Sequence, residues 1–225
     1  DPGLWRGLPR WAIAWKMGRP HLISPDPEYN RKCTLIAAAL KLARRFPERL
    51  RLVFADEMSF YRRPHPGREW HEQGGGGCMQ PTALHPPGPN TRRGIIGALD
   101  AVDGRLTSMT RSSVTVRAVL KFLRHLRAAY GPGVRLVLVW DNWPPHHHED
   151  VKALAAELGI RLLYTPTYAP WTNPIEKVWK KLRAEVLRLH RLSDVWVELR
   201  QRVNRYLTDQ DRANPELLRY VGLEP

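Results

Sequence analysis

The stretch Val134-Arg135-Leu136-Val137-Leu138-Val139-Trp140-Asp141-Asn142 decides the fold class. Val and Leu occupy both faces of its apolar run, as in a strand covered on both sides, and the run stops on an acid. Beyond it, residues 148–158 have helical spacing closed by Gly159, and residues 160–164 are again short and apolar. Strand, helix, strand at this spacing is the parallel crossover unit. Before it, residues 114–130 predict an amphipathic helix ended by Gly131-Pro132-Gly133. Residues 94–101 and 106–109 predict a hairpin around Asp103-Gly104. Further out, residues 29–46 predict a helix stopped by Pro47, and residues 52–55 a strand. Residues 174–189 and 194–207 predict two more helices. The Pro- and Gly-rich segment 62–93 reads as a long functional loop, or as one with short edge strands inside it. This order specifies an α/β domain with a mixed sheet flanked by helices.

The 225 residues carry 36 Lys+Arg against 22 Asp+Glu, a formal charge of +14, with an apolar share of 43%. That apolar share, with nine Trp to bury, excludes a disordered chain. No apolar run reaches the roughly 18 residues of a membrane span. Two Cys make neither a disulfide framework nor a Cys-based zinc site, and a cytosolic location is the default. The basic excess lies mostly before Asp141 and points to a polyanionic partner, nucleic acid first. Residues 20–27 hold three prolines and read as a linker.

Acids at strand ends in such a basic chain ask for a reason. Asp56 follows the strand at 52–55, Asp141 follows that at 134–140, and Glu176 sits in the first turn of the helix at 174–189. The carboxyl ends of strands are where open α/β sheets build sites. Parallel neighbours would set Asp56 beside Asp141, with Glu176 above them. Clustered carboxylates repel unless a cation lies between them. Mg²⁺ and Mn²⁺ take such oxygen ligands, and pairs of these ions drive phosphoryl transfer.

Each acid also has a plainer reading. Asn173-Pro174-Ile175-Glu176 has the form of a helix start in which Asn caps and Glu reaches back to the cap. A carboxylate cannot do that and bind metal at once. Strand alternation puts Asp56 on one face with Leu52 and Phe54, and Glu57 on the other; either could be the active acid. Asp141-Asn142 before Pro144-Pro145 could be a turn. Asp100 and Asp103 are assigned to the hairpin. His146, His147 and His148 cannot share one face, so they make no tridentate metal cluster.

Asp141-Asn142-Trp143-Pro144-Pro145-His146 and the later Leu163-Tyr164-Thr165-Pro166-Thr167-Tyr168-Ala169-Pro170-Trp171-Thr172-Asn173-Pro174-Ile175-Glu176-Lys177-Val178-Trp179 together resemble bacterial insertion-sequence transposases of the mariner superfamily. Asp56-Glu57-Met58-Ser59-Phe60 resembles the family's first acidic motif, and Gly97-Ala98-Leu99-Asp100 is also similar. The likeness spans roughly residues 25–207. Its most specific part is the segment around Glu176, with 34 residues between Asp141 and Glu176.

The resemblance implies an RNase H-like, DDE-type catalytic domain over residues 29–225. Residues 1–28 would be the tail of a missing helix-turn-helix region and its linker. It implies that Asp56, Asp141 and Glu176 are the catalytic acids and ligate two Mg²⁺, with Mn²⁺ as a substitute. The activity implied is cleavage of transposon ends and joining of the freed 3′ hydroxyl to target DNA. The partner would be double-stranded DNA held by a homodimer, in a bacterial cytoplasm at the nucleoid, with no membrane. His146 falls where the family often has His, as a DNA contact or a support for the acids. Arg62, Arg63, Arg92, Arg93, Lys177, Lys180 and Lys181 are expected phosphate contacts. Two other readings stay open: a non-catalytic DNA-binding remnant, and an RNase H-type nuclease.

Overall fold

The computed structural model describes residues 23–68 and 82–224. Helix α1 (Tyr29–Arg45) leads into β1 (Leu50–Tyr61), which is followed by β2 (Arg92–Asp100) and β3 (Leu106–Arg111). Helix α2 (Val116–Tyr130), β4 (Arg135–Trp140), α3 (Glu149–Glu157) and β5 (Ile160–Tyr164) come next. Helices α4 (Ile175–Leu182), α5 (Trp196–Asp209) and α6 (Pro215–Val221) close the chain. The strands form one sheet in the order β3-β2-β1-β4-β5. β1, β2 and β3 are antiparallel neighbours, whereas β4 runs parallel to both β1 and β5. The mixed α/β sheet expected from the sequence is present.

Strand alternation divides the core. Leu52, Phe54, Met58 and Phe60 of β1 face α1, α4, α5 and α6. Val53 and Ala55 face α2 and α3. α2 is capped as its sequence asks, with the Thr115 side chain accepting from the Ala118 N–H. Asp100 is fully buried at the hairpin; it accepts from the Val102 N–H at 2.7 Å and meets Arg51 at 3.3 Å. Asp103 takes a second bond from Arg51 at 2.9 Å. Both acids serve the hairpin, as expected.

Three elements differ from the sequence reading. β1 runs six residues past Ala55, because residues 56–61 pair with β2 up to Arg92. The helix expected over 174–189 turns π-helical from Arg183 to Leu187. α6 was not foreseen; Asn214 caps it by accepting from the Leu217 N–H. Residues 20–27, read as a linker, are pinned where they are described: Ser24 Oγ donates to the Thr167 carbonyl at 2.6 Å, and Thr167 N–H donates to Asp26 at 2.8 Å. The tail assigned to residues 1–28 lies outside the described residues up to 22, as does the part of the 62–93 loop from 69 to 81.

Candidate active site

Val139 is the last residue of β4 in register with β1, opposite Phe54. Two residues further along each strand stand Asp141 and Asp56, so parallel pairing brings the two acids to one level. β4 stops there, while β1 continues on β2 alone. Asp56 is thus a mid-strand residue beside a gap in the sheet, not a strand-end residue.

Across β2, Asp56 is paired with Gly97. A Cβ at Gly97 would lie 2.6 Å from the Trp179 ring. The glycine leaves room for an indole whose Nε1–H donates to Asp56 Oδ2 at 2.9 Å. Trp179 belongs to α4, and α4 is tied to β1 a second time. Asn173 donates from Nδ2 to the Ala55 carbonyl at 3.0 Å. The capping alternative for Asn173 and Glu176 is therefore not adopted: α4 has no side-chain cap. The Glu176 carboxylate has no hydrogen-bond partner among the described residues. Asp56, Asp141 and Glu176 line one cleft of about 370 Å³, walled by the loop from Thr165 to Pro170. Asn142 braces that wall, donating from Nδ2 to the Thr165 carbonyl at 2.8 Å.

The electrostatics separate the two aspartates. Burial pushes the Asp56 carboxyl up to about 8, and the nearby Glu176 and Glu57 charges add to the rise. At Asp141 burial also acts upward, but bonds from His146 and the Trp143 N–H outweigh it and hold the group below its usual range. His146 is fully buried, stacked on Trp140 with ring centroids 4.0 Å apart. Its Nδ1 lies 2.9 Å from Asp141 Oδ1 and its Nε2 3.0 Å from Glu57 Oε1. Flanked by two carboxylates, the ring's pKa is raised to about 9, against the opposing pull of its burial. A ring sealed in this way cannot meet DNA directly, so the DNA-contact reading of His146 is corrected: it bridges Asp141 to Glu57.

The expected phosphate contacts divide into two groups. Arg62 donates to the carbonyls of Ser193 at 2.7 Å and Pro87 at 3.1 Å, and Arg63 to that of Gly88 at 3.0 Å. These two clamp the loop that leads into β2. Lys177 donates to the Val221 carbonyl at 2.7 Å at the end of α6, and Lys181 pairs with Glu185 beside Tyr220. These four side chains have partners within the protein. Arg92, Arg93 and Lys180 have no such partner among the described residues. Arg92 lines a second hollow of about 380 Å³, on the Glu57 side of the two aspartates.

The sequence reading singled out neither Trp179 nor Tyr168 for a role at the site. Tyr168 is 80% exposed, lines the main cleft and holds a left-handed backbone with φ of 52°. Such strain in a non-glycine residue clusters at functional sites. Trp179 was legible as a helix-face aromatic, but its bond to Asp56 depends on the gap that Gly97 leaves.

A family profile described as DDE superfamily endonuclease matches residues 51–196. The chain is 27% identical over 198 residues to the insertion element IS630 uncharacterized 39 kDa protein of Shigella sonnei. That match takes in 87% of this chain and 55% of the relative, so the chain spans about half the length of the curated protein it resembles. Among solved structures, the Mos1 transposase paired-end complex with left transposon end superposes with a TM-score of 0.68 at 16% identity, over 98% of this chain and 66% of that one. The Mos1 mariner paired-end complex with Mn gives 0.67 at 17% identity, over 98% and 66%. At these identities the likeness shows a shared fold.

Proposed function

The chain belongs to the DDE superfamily of endonucleases, and from that premise we propose that it is the catalytic part of an insertion-sequence transposase, cleaving transposon ends and joining the freed 3′ hydroxyl to target DNA. One observation carries the reading. Two aspartates on adjacent parallel strands and a glutamate on the following helix line a single cleft in a chain of net charge +14. A non-catalytic remnant would have no need to keep all three acids on one cleft.

The residues suit a divalent cation. Asp56 is buried among like charges that a bound cation would relieve. Asp141 commits Oδ1 to His146 and the Trp143 N–H, leaving Oδ2 open. Glu176 is unpartnered among the described residues. Among the described residues no three acidic, His or Cys side chains are gathered closely enough to hold a metal ion by themselves. Mg²⁺ commonly keeps water and takes substrate phosphate oxygens beside one or two carboxylates. We propose two ions, Mg²⁺ with Mn²⁺ as a substitute, held by Asp56, Asp141 and Glu176. When bound, they would lower the pKa of the attacking water or hydroxyl and steady the leaving oxygen.

The protein's own part is positioning. Trp179 and Asn173 fix α4 against β1, and so set Glu176 relative to Asp56. His146 and Glu57 hold the Asp141 carboxylate. The Thr165–Pro170 wall and Trp143 bound the space for the DNA backbone, and Arg92, Arg93 and Lys180 are the cations free to meet phosphates. Two copies on paired ends, in a bacterial nucleoid, complete the proposal; light scattering with and without end DNA should show a dimer only on DNA.

Asp141→Asn tests the site. It should abolish Mn²⁺-dependent cleavage of a duplex bearing the element's ends while leaving salt-sensitive DNA binding intact. Cleavage surviving the change would overturn the assignment.

A further inference from the structure

Away from the acidic cleft and the hollow beside Arg92 lies another concavity, of about 370 Å³, that shares no lining residue with the cleft. Its wall is the segment after the π-helical turn, with Arg188, His190 and Arg191, together with Arg202 of α5 and Arg68. Four Arg line it and no acid does. None of the four has an ion pair or side-chain hydrogen bond among the described residues.

The pocket is built rather than loose. His65 and the 187–189 segment exchange backbone bonds: His65 N–H donates to the Leu187 carbonyl at 2.9 Å, and Leu189 N–H to the His65 carbonyl at 3.0 Å. Leu189 itself takes a left-handed φ of 48°. π-turns and such backbone strain recur at functional sites.

His190 supplies an independent pointer to a ligand. It is 5% exposed, and its Nδ1 accepts the Leu192 N–H at 3.2 Å. Nδ1 therefore carries no proton, so the neutral ring carries its proton on Nε2. That Nε2–H is buried without an acceptor, although buried donors are nearly always satisfied. A negatively charged acceptor in the pocket would suit both this donor and the guanidinium groups that line it. Guanidinium forks match phosphate oxygens in shape.

We propose that this pocket binds a backbone phosphate of DNA at a distance from the acidic cleft, with His190 and the surrounding Arg side chains as its ligands. The proposal rests on the reading of the chain as a DNA-cutting enzyme, and it specifies where a stretch of duplex away from the scissile phosphate is gripped. The contact positions DNA and reads no sequence.

The test is a pair of exposed double variants, in the full chain. Arg191→Gln with Arg202→Gln should lower the salt dependence of duplex binding by about two units of log K against log salt. Affinity at 100 mM salt should fall about tenfold or more, and cleavage at subsaturating DNA should fall with it. Arg117→Gln with Arg124→Gln, on α2 across the sheet, should leave the slope near that of the parent. An unchanged slope in the first variant, or equal losses in both, would overturn the proposal. As a local probe, the His190 Nε2–H resonance should move downfield on adding a short duplex. If inorganic phosphate moves it and duplex DNA does not, the pocket takes free anions and the DNA assignment fails. A reduced salt slope separates this site from the acidic one, where Asp141→Asn should abolish cleavage and leave the slope unchanged.

Discussion

Asp56 is where sequence, packing and chemistry meet most tightly. Its carboxyl is raised to about 8 in the fold, against about 4 for an unperturbed Asp. Between those values the native state holds a proton that the unfolded chain has released, so metal-free stability falls as pH rises from about 4 to about 8. Asp56→Asn should therefore melt above the parent at pH 9 without divalent metal, by at least about 1 kcal/mol, and match it near pH 4. Thermal melts at the two pH values check this, and a variant no more stable at pH 9 would contradict it. Glu57 and His146 act one step back, through Asp141. Loss of the group that orients a metal ligand typically costs 10- to 100-fold in metal affinity. Glu57→Ala should accordingly raise the Mn²⁺ concentration for half-maximal binding about tenfold, with Glu57→Gln, which keeps an acceptor, in between. A titration unmoved by either would remove Glu57 from the site. The sequence showed that Glu57 faces away from Asp56, since alternation requires it. It could not show that His146, 89 positions later, arrives on that other face, because this depends on how the 3₁₀ turn Pro144–His147 folds back over Trp140.

Among the elements, α4 and β2 are coupled through one missing methyl. Gly97→Ala would drive a Cβ to 2.6 Å from the Trp179 ring. Overpacking of this kind costs about 1–3 kcal/mol, and here it would also push α4, and with it Glu176, away from Asp56. Stability and Mn²⁺-dependent cleavage should fall together, and Trp179→Phe in the Gly97→Ala background should return part of the stability but little of the cleavage. Urea melts and end-cleavage rates read both. The crossover unit around β4 was legible because uninterrupted Val and Leu admit no half-exposed alternative. The length of β1 was not. Residues 56–61 mix acids and aromatics, and only pairing with a β2 that lies thirty residues on keeps them extended. The helix start at Asn173 read as a cap on local grounds. The buried Ala55 carbonyl, which the sequence does not reveal as a neighbour, takes the Asn173 amide instead.

For the whole molecule, the charge of +14 and the acidic cleft belong to one design. In the proposed function, basic surface attracts duplex DNA and the acids of the cleft are offset by bound cations. Among the described residues no helix is long and apolar enough to cross a membrane. The two layers of helices leave a cleft open where β4 ends beside Asp56, and the unforeseen α6 packs Leu217, Leu218 and Val221 into the same core cluster as α4. The charge balance was visible from composition; its division into spent and free cations was not, since Arg62 and Lys177 look no different from Arg92 until their carbonyl partners are placed. The central claim is that Asp56, Asp141 and Glu176 form one metal site. An anomalous difference map from crystals grown with Mn²⁺ tests it most directly. It should show density between the Asp56 and Asp141 carboxylates and within ligand distance of Glu176 or its bound water. Mn²⁺ absent from that cleft, or bound only elsewhere on the chain, would contradict the account.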